Sequence, residues 1–286
     1  MIRIFSDSTC DLSQELIERY NITIIPLHIV LGEKEYLDGK NITPDQIYAW
    51  ADANKTTPKT SACAYEDAVA AFRPVIGAGD EIIVFSISDS MSTTGNIFRM
   101  AAEDMHAEDR ISVIDSQNLS TGIGLLVLAA AEARDAGKSR KEIVSELEEL
   151  IPRVRASFVV DTLVYLYRGG RCNAVAALAG SMLKLHPKIV VENGAMDASK
   201  KYRGKLPVVI RTYAKDMEQE LLKAEKGHVF ITHSGCDDKT VAMVKEYLLS
   251  LNCFDEIHIT RAGGVVSSHC GPGTLGVLFI EGKQEK

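Results

Sequence analysis

The chain lacks several features that define common protein classes. It has six cysteines in 286 residues but no Cys-x-x-Cys pair, and a chain of this length does not need disulfides to hold a core, so we expect reduced thiols. Basic residues number 32 against 39 acidic ones, a net charge of -7, which disfavours general nucleic-acid binding because no positive field attracts phosphates. The most apolar stretch, residues 122–131, is about half as long as a membrane span requires. The N-terminus also lacks a signal-peptide core, and we therefore expect a cytoplasmic protein with no integral membrane segment.

The motifs of the commonest nucleotide-binding and hydrolytic enzymes are also missing. There is no Gly-x-x-x-x-Gly-Lys-Ser/Thr loop, no Gly-x-Gly-x-x-Gly after the first predicted strand, and no Gly-x-Ser-x-Gly elbow. Among seven histidines, no closely spaced set such as His-Glu-x-x-His predicts a metal site. His228 and His258 lie in or beside predicted strands and are interpreted as structural. We expect no metal, and no cofactor apart from a bound ligand.

Composition and periodicity predict an α/β fold. Hydrophobic residues make up 46 % of the chain and charged residues 25 %, which is typical of a globular protein. Short β-branched runs alternate with segments of helical period, and this alternation indicates mainly parallel strands joined by helices. The predicted strands are Ile2–Phe5, Ile22–Val30, Glu81–Ile87, Ile111–Ile114, Ser157–Val160, Lys188–Val191, Val229–Thr232, Glu256–Thr260 and Gly276–Ile280.

Local signals also predict helices and a domain division. Thr43 followed by Pro44 marks one helix start, and Ser139 with Glu142 forms a capping box before a helix that continues to about Val154. Two further helices are predicted near Pro207–Ala224 and over Asp238–Leu251. The length suggests two domains, and we place the boundary near residue 155, which gives α/β domains over residues 1–155 and 156–286.

Polar residues gather after several predicted strands, where α/β sheets usually bind ligands. Six of the eight residues 88–95 are Ser, Thr or Asp, which exceeds what a helix cap needs. Residues 6–12 and the pair Thr60-Ser61 also carry hydroxyls, although a helix cap explains either segment. Arg171 follows a Gly169-Gly170 helix stop, and His269 lies in what reads as a glycine-rich bend before an apolar strand.

These segments, in this order, resemble the DegV family of bacterial fatty-acid-binding proteins over nearly the whole chain. The residues that carry the resemblance are 7–12, 59–61, 88–95, 114–116 with Gly122 and Gly124, 163–171 and 269–276. The resemblance implies two α/β domains with an apolar cavity between them, which holds one long-chain fatty acid such as palmitate. It also implies that a separate fatty acid kinase phosphorylates the bound carboxylate to an acyl phosphate, a step of phospholipid metabolism. The protein itself would be a carrier and not an enzyme.

The resemblance also assigns roles to individual residues. Thr60 and Ser92 match the family's carboxylate ligands, while Arg171, His269, Ser61 and Thr93 would lie near the head group or face the kinase. Hydroxyls suit this role because a buried carboxylate needs donors. About a dozen buried methylenes contribute on the order of 10 kcal/mol before immobilisation losses, and the small apolar residues 174–179 would line a channel for them.

The sequence departs from the family pattern at two places beside these residues. Ala62-Cys63 stands where the family commonly has Gln-Pro, and Thr93 stands where it commonly has glycine after the binding serine. The side chain of Thr93 would narrow the head-group pocket or add a donor.

Two other functions remain open at this point. Ser92 would be the nucleophile and His269 the base of an acyl- or phosphoryl-transfer enzyme if Asp7 or Asp115 orients the histidine. Alternatively, Arg171 and the Gly169-Gly170 turn would bind a phosphate or phosphosugar.

Overall fold

The computed structural model describes residues 1–171 and 185–283. The predicted channel-lining residues 174–179 lie outside this part. The α/β class is confirmed, with three sheets and helices packed against them. The strands are β1 (Ile2–Asp7), β2 (Ile22–Ile25), β3 (His28–Leu31), β4 (Lys34–Leu37), β5 (Lys59–Ser61), β6 (Glu81–Ser86), β7 (Ile111–Asp115), β8 (Val154–Val159), β9 (Leu185–Glu192), β10 (Ala195–Arg203), β11 (Ala224–His233), β12 (Glu256–Arg261) and β13 (Leu275–Glu281).

Helices connect many of these strands. They are α1 (Gln14–Arg19), α2 (Pro44–Asn54), α3 (Tyr65–Gly77), α4 (Thr94–Asp104), α5 (Thr121–Asp135), α6 (Arg140–Leu150), α7 (Val164–Gly169), α8 (Leu206–Asp216), α9 (Glu218–Leu221), α10 (Asp238–Leu251) and α11 (Gly264–Cys270). The capping boxes at Thr43 and Ser139 are present. The helix predicted near Pro207–Ala224 is interrupted at Met217, where α8 gives way to the short α9, and it ends at Leu221 because the chain enters β11 at Ala224.

The first sheet is parallel, with strand order β2-β1-β6-β7. From β1 the chain crosses to β2 on one side and later reaches β6 on the other, so the strand order reverses between β1 and β6. An Asp7 side-chain oxygen accepts a hydrogen bond of 2.7 Å from the backbone N–H of Ile87 at this point. Ligands in open α/β sheets bind at such a reversal, beyond the carboxyl ends of the strands.

The predicted strand Ile22–Val30 is two strands in different sheets. β2 ends at Ile25 in the parallel sheet, and β3 begins at His28 in a small antiparallel sheet of order β4-β3-β5. Pro26 separates them, and proline has no N–H to continue a ladder. β5 pairs with β3 so that Thr60 lies opposite Ile29, and Thr60 is therefore in a strand and not at a helix cap.

The third sheet corrects the expectation of mainly parallel strands. Its order is β10-β9-β8-β13-β11-β12, and only the β11–β12 pair is parallel. β9 and β10 form a hairpin because Asn193 and Gly194 both take positive φ, 49° and 80°, the geometry of a tight two-residue turn. β10 was missed in the sequence because this edge strand is mostly polar, as edge strands often are.

Helix α5 lies between the parallel sheet and the six-stranded sheet. It contacts β1 and β6 on one side and β8, β11 and β13 on the other. Apart from residues 129, 132, 134 and 135, all of its residues are buried, which is typical of a helix enclosed in a core. The six-stranded sheet starts at Val154, but the division of the chain into two domains near residue 155 stays a prediction.

Candidate functional site

A cavity of about 690 Å³ lies beyond the carboxyl ends of β2, β6 and β7. Its walls come from the segments after these strands, from β5 and α11, from the end of α7, and from the start of β10. The lining residues are Leu27, Thr60, Ser61, Ala62, Ile87, Asp89, Ser90, Met91, Ser92, Thr93, Leu119, Gly170, Arg171, Ala195, Met196, Val265, Val266, His269 and Cys270. All six predicted site residues therefore line one cavity, although they are up to 209 positions apart in the chain.

The hydroxyl-rich segment after β6 is tied to the six-stranded sheet. The Ser88 hydroxyl donates a hydrogen bond of 2.7 Å to the carbonyl oxygen of Gly194, and the Ser90 hydroxyl donates to the same oxygen. Gly194 forms the β9–β10 turn, and the next two residues, Ala195 and Met196, line the cavity. These two serines therefore fix one wall of the cavity and do not act as free donors within it.

Ser92 lies at the start of helix α4. Its hydroxyl oxygen is 2.9 Å from the Thr94 hydroxyl and accepts a hydrogen bond of 3.3 Å from the Thr94 backbone N–H. Thr93 is exposed and makes no side-chain cap to the helix. Glycine is required at position 95, the second residue of α4, because a Cβ there would lie 2.2 Å from Asp89 Oδ1 and 2.9 Å from Ser86 Oγ. The partly buried Ser92 hydroxyl thus lies where the positive end of the helix dipole favours an anion.

Thr60 and His269 form a pair at the cavity wall. The Thr60 hydroxyl oxygen is 2.8 Å from His269 Nε2. His269 Nδ1 is buried and has no hydrogen-bond partner in the described residues. It lies against Gly169, where a Cβ would approach this nitrogen to 2.3 Å. Contrary to the expected bend, His269 belongs to helix α11, which ends at Cys270 just before the glycine-rich turn.

The protonation of His269 follows from this environment. Burial, followed by the nearby positive charge of Arg171, lowers the pKa of His269 to about 4, so the ring is neutral at pH 7. An unpaired buried N–H is rarer in proteins than an unpaired acceptor, which assigns the proton to Nε2 and leaves Nδ1 as the unpaired atom. Nε2–H then donates to the Thr60 oxygen, and the Thr60 O–H remains available to a second acceptor.

Ser61 and Arg171 are exposed at the cavity. The Arg171 guanidinium donates a hydrogen bond of 2.7 Å to the carbonyl of Gly169, and Gly170 closes α7 in the left-handed conformation as expected. Asp89 lines the same cavity and forms an ion pair of 2.7 Å with Arg99. Since most of the other lining residues carry hydroxyl or apolar groups, the cavity provides little of the positive charge that a phosphate site needs.

The arrangement needed for a Ser92–His269 nucleophile is not present in the described part of the chain. Ser92 bonds to Thr94, and His269 Nε2 bonds to Thr60. Asp7 accepts bonds from Thr9 and Ile87, and Asp115 accepts from the backbone of Asp89 and Gln117. Neither acid is a hydrogen-bond partner of His269, so neither orients the histidine as a triad requires.

Two buried acids support the helix that carries His269, and one of them, Asp38, was missed in the sequence. Asp11 Oδ1 accepts a hydrogen bond of 2.8 Å from the Gly263 N–H, and Asp38 Oδ1 accepts one of 2.7 Å from the Gly264 N–H. Ser8 and Ser120 bond to the other oxygens. Burial raises the pKa of both carboxyls above the ordinary value. The motif was not visible because Asp38 is a single acidic residue directly after β4, far in sequence from α11.

A narrow apolar cleft of about 20 Å³ adjoins the cavity and shares Leu119, Val266 and Cys270 with it. Beyond these residues the cleft is bounded by Phe158 and Leu278 of the six-stranded sheet. This volume is enough for about one water molecule. An apolar chain could therefore continue from the cavity into the cleft only if these side chains move.

No disulfide joins the cysteines of the described part of the chain, and Cys172 lies outside it. Within residues 1–171 and 185–283, no helix is both long and apolar enough to span a membrane.

The parallel sheet and the six-stranded sheet share one buried helix, and a cavity lined by hydroxyl and apolar side chains lies beyond the strand ends. These features define an α/β protein with a candidate ligand-binding cavity. Residues 1–282 match the family model described as "Uncharacterised protein, DegV family", and the chain belongs to the DegV family.

Similar proteins agree with this assignment. A DegV domain-containing protein of Caldanaerobacter subterraneus is 32 % identical over 98 % of this chain and 99 % of its own length. The structure is similar to a DegV family protein from Thermus thermophilus described by its fatty acid binding, with a TM-score of 0.90, 30 % identity, and coverage of 98 % of this chain and 99 % of that one. It is also similar to a stearic acid-binding protein from Eubacterium ventriosum, with a TM-score of 0.87, 29 % identity and 98 % coverage of both chains.

Proposed function

We propose that this chain binds one long-chain fatty acid in the cavity and holds its carboxylate with Thr60 and Ser92. The observation that carries the proposal is that both hydroxyls line a cavity whose other walls include many apolar side chains, among them Leu27, Ile87 and Met91. A ligand with a carboxylate at one end and an alkyl chain at the other matches a cavity that offers both hydroxyl donors and apolar walls. The fatty acid binding described for the similar proteins from Thermus and Eubacterium supports the same ligand class.

The two hydroxyls are suited to a carboxylate for different reasons. With the ring proton assigned to His269 Nε2, this N–H donates to the Thr60 oxygen 2.8 Å away, and the Thr60 O–H is free to donate to a ligand. Ser92 adds a donor at the start of α4, where the helix dipole favours negative charge. Hydrogen bonds to an ionised group are roughly twice as strong as neutral ones. Two neutral donors can therefore bind the head group without a lysine or arginine in direct contact.

The apolar residues give the alkyl chain its place. Each methylene that leaves water contributes about 0.8 kcal/mol. The tail would follow the wall formed by Val265, Val266 and Met91 toward the cleft between α11 and the six-stranded sheet.

We also propose that the bound carboxylate is presented to a separate fatty acid kinase, which converts it to an acyl phosphate. Arg171, Ser61 and Thr93 are exposed and line the cavity, so they can meet a partner that approaches the head group. A carrier role is supported by the absence of an acid beside His269 in the described residues.

Native mass spectrometry of the purified protein tests the binding proposal. We expect a mass excess that solvent extraction identifies as a fatty acid, and delipidated protein should take up added palmitate at one molecule per chain. A protein of bare polypeptide mass that also takes up no added fatty acid would contradict the proposal. Addition of a fatty acid kinase and ATP to the loaded protein then tests the second step, which requires acyl phosphate to form faster than from free fatty acid.

A further inference from the structure

Two histidines and a glutamate meet on adjacent strands of the six-stranded sheet, and none of them lines the cavity. β11 and β12 are parallel, with His228 opposite Glu256 and Phe230 opposite His258, so the three polar side chains project from one face. One ligand atom from each residue can be chosen so that all three atoms lie within 4.8 Å of one another. We propose that His228, Glu256 and His258 bind one divalent transition-metal ion, with Zn²⁺ the best match.

The distances fit a tetrahedral ion. His228 Nδ1 and His258 Nε2 are 2.9 Å apart, and His258 Nε2 is 3.6 Å from Glu256 Oε2. Ligand atoms at about 2.0–2.1 Å from a tetrahedral zinc are about 3.3–3.4 Å from one another. The two observed distances lie on either side of this value, so small side-chain movements would place all three atoms around one ion. The proton that now lies between His228 Nδ1 and His258 Nε2 would move to Nδ1 of His258. The metal ion would then take its place between the two rings.

A further carboxylate orients His228. Glu132 Oε1 lies 2.8 Å from His228 Nε2 and accepts a hydrogen bond of 3.0 Å from the Tyr20 hydroxyl. Histidines that bind metals usually donate their other ring N–H to such a group, which fixes the tautomer. Donation from Nε2 leaves the lone pair of His228 on Nδ1, the atom that faces His258.

The remaining residues of the site are held in place. Arg19 bonds to both oxygens of Glu256, at 3.0 and 3.1 Å, and a carboxylate with about four acceptor positions can accept these bonds and still bind an ion. The His258 ring stacks on Phe230, with centroids 4.7 Å apart.

The ligand types select the class of metal. Imidazole nitrogens favour zinc and its neighbours, whereas magnesium and calcium prefer oxygen alone. The side chains of His228 and His258 are 12 % and 13 % exposed and that of Glu256 is 36 % exposed, so water can supply a fourth ligand. Since Arg19 places a positive charge beside the ion, we expect weaker binding than at a closed site with four protein ligands.

Titration of the full, tag-free chain with Co²⁺, followed by displacement with Zn²⁺, tests this site. We expect one Co²⁺ per chain, with the visible absorption of tetrahedral coordination. His258→Gln should weaken binding at least tenfold, and Glu132→Gln should weaken it about 10–100-fold because a carboxylate that orients a ligand has effects of this size. His106→Gln is the matched control, since His106 is exposed and outside the cluster, and its affinity should equal that of the unmodified protein.

A second measurement does not depend on folded variants. Addition of Zn²⁺ to the unmodified protein should shift the imidazole ¹⁵N resonances of two of the seven histidines, those of His228 and His258. The inference is refuted if the unmodified chain binds no Co²⁺ and these resonances do not move. Equal affinity of the unmodified chain, His258→Gln and Glu132→Gln would also overturn it. Either result is independent of whether the cavity binds a fatty acid.

Discussion

Replacement of Thr60 by valine separates the ligand-binding role of its hydroxyl from its structural role. Valine has nearly the same shape but cannot donate to a carboxylate. A hydrogen bond to a charged group contributes about 1.5–3 kcal/mol, so Thr60→Val should weaken fatty-acid binding about 10–150-fold. The substitution also leaves His269 Nε2–H, now 2.8 Å from the Thr60 oxygen, without an acceptor. The loss of this hydrogen bond affects the free and the bound protein alike, so it should not change the affinity. It should reduce the free energy of unfolding by about 1–3 kcal/mol.

Two measurements distinguish these effects. Displacement of a fluorescent fatty acid gives the affinity, and urea unfolding of the delipidated protein gives the stability. Thr23→Val is the matched control, because Thr23 is an exposed strand residue that does not line the cavity. Hexadecanol provides a ligand control, since its neutral head group should lose much less affinity than palmitate in the Thr60 variant. Unchanged affinity for palmitate, or equal losses for the acid and the alcohol, would refute the carboxylate assignment.

Three other perturbations give separate outcomes. Arg171→Ala should leave palmitate affinity unchanged within about twofold but slow acyl phosphate formation by a kinase, and loss of palmitate binding would place the arginine in the pocket instead. Gly124→Ala should lower the free energy of unfolding by about 1–3 kcal/mol in urea, because its Cβ would lie 2.8 Å from Leu12 Cδ2 and 3.1 Å from the Cys10 carbonyl, whereas Gly77→Ala, in open space, should not destabilise. Since the pKa of His269 falls from 6.5 to about 4 on folding, its contribution is present above pH 6.5 and is lost as the pH falls toward 4. His269→Gln should therefore remove most of about 3 kcal/mol from the pH dependence of unfolding in that range, and identical profiles would contradict the assignment.

Local chemistry in the sequence predicted the elements that depend on neighbouring residues. The helix Asp238–Leu251 has the predicted bounds because Asp237 caps it and Asn252 ends it in the left-handed conformation. The capping boxes at Thr43 and Ser139 are visible for the same reason.

Features that depend on distant residues were not predictable in this way. β5 is a strand only because it pairs with β3, and the polar β10 is a strand only because a tight turn places it beside β9. The contact of Thr60 with His269 spans 209 residues. The cluster of His228, Glu256 and His258 forms because two strands that are far apart in sequence align in parallel register. The hydroxyl-rich segment after β6 was recognised because its excess of donors is itself a local signal.

The buried helix α5 restricts where the chain can be cut or extended. A fragment that ends near residue 155 would keep α5 but lose β8, β11 and β13, which cover one of its sides, and the exposed apolar face would promote aggregation. A split reporter divided just before Val154, where β8 begins, should therefore fail even though this cut leaves all three sheets intact. The turn after α3 is a better place for an inserted peptide, because residues 77–79 are exposed and the Cβ positions at Gly77 and Gly79 have no neighbour within 4 Å.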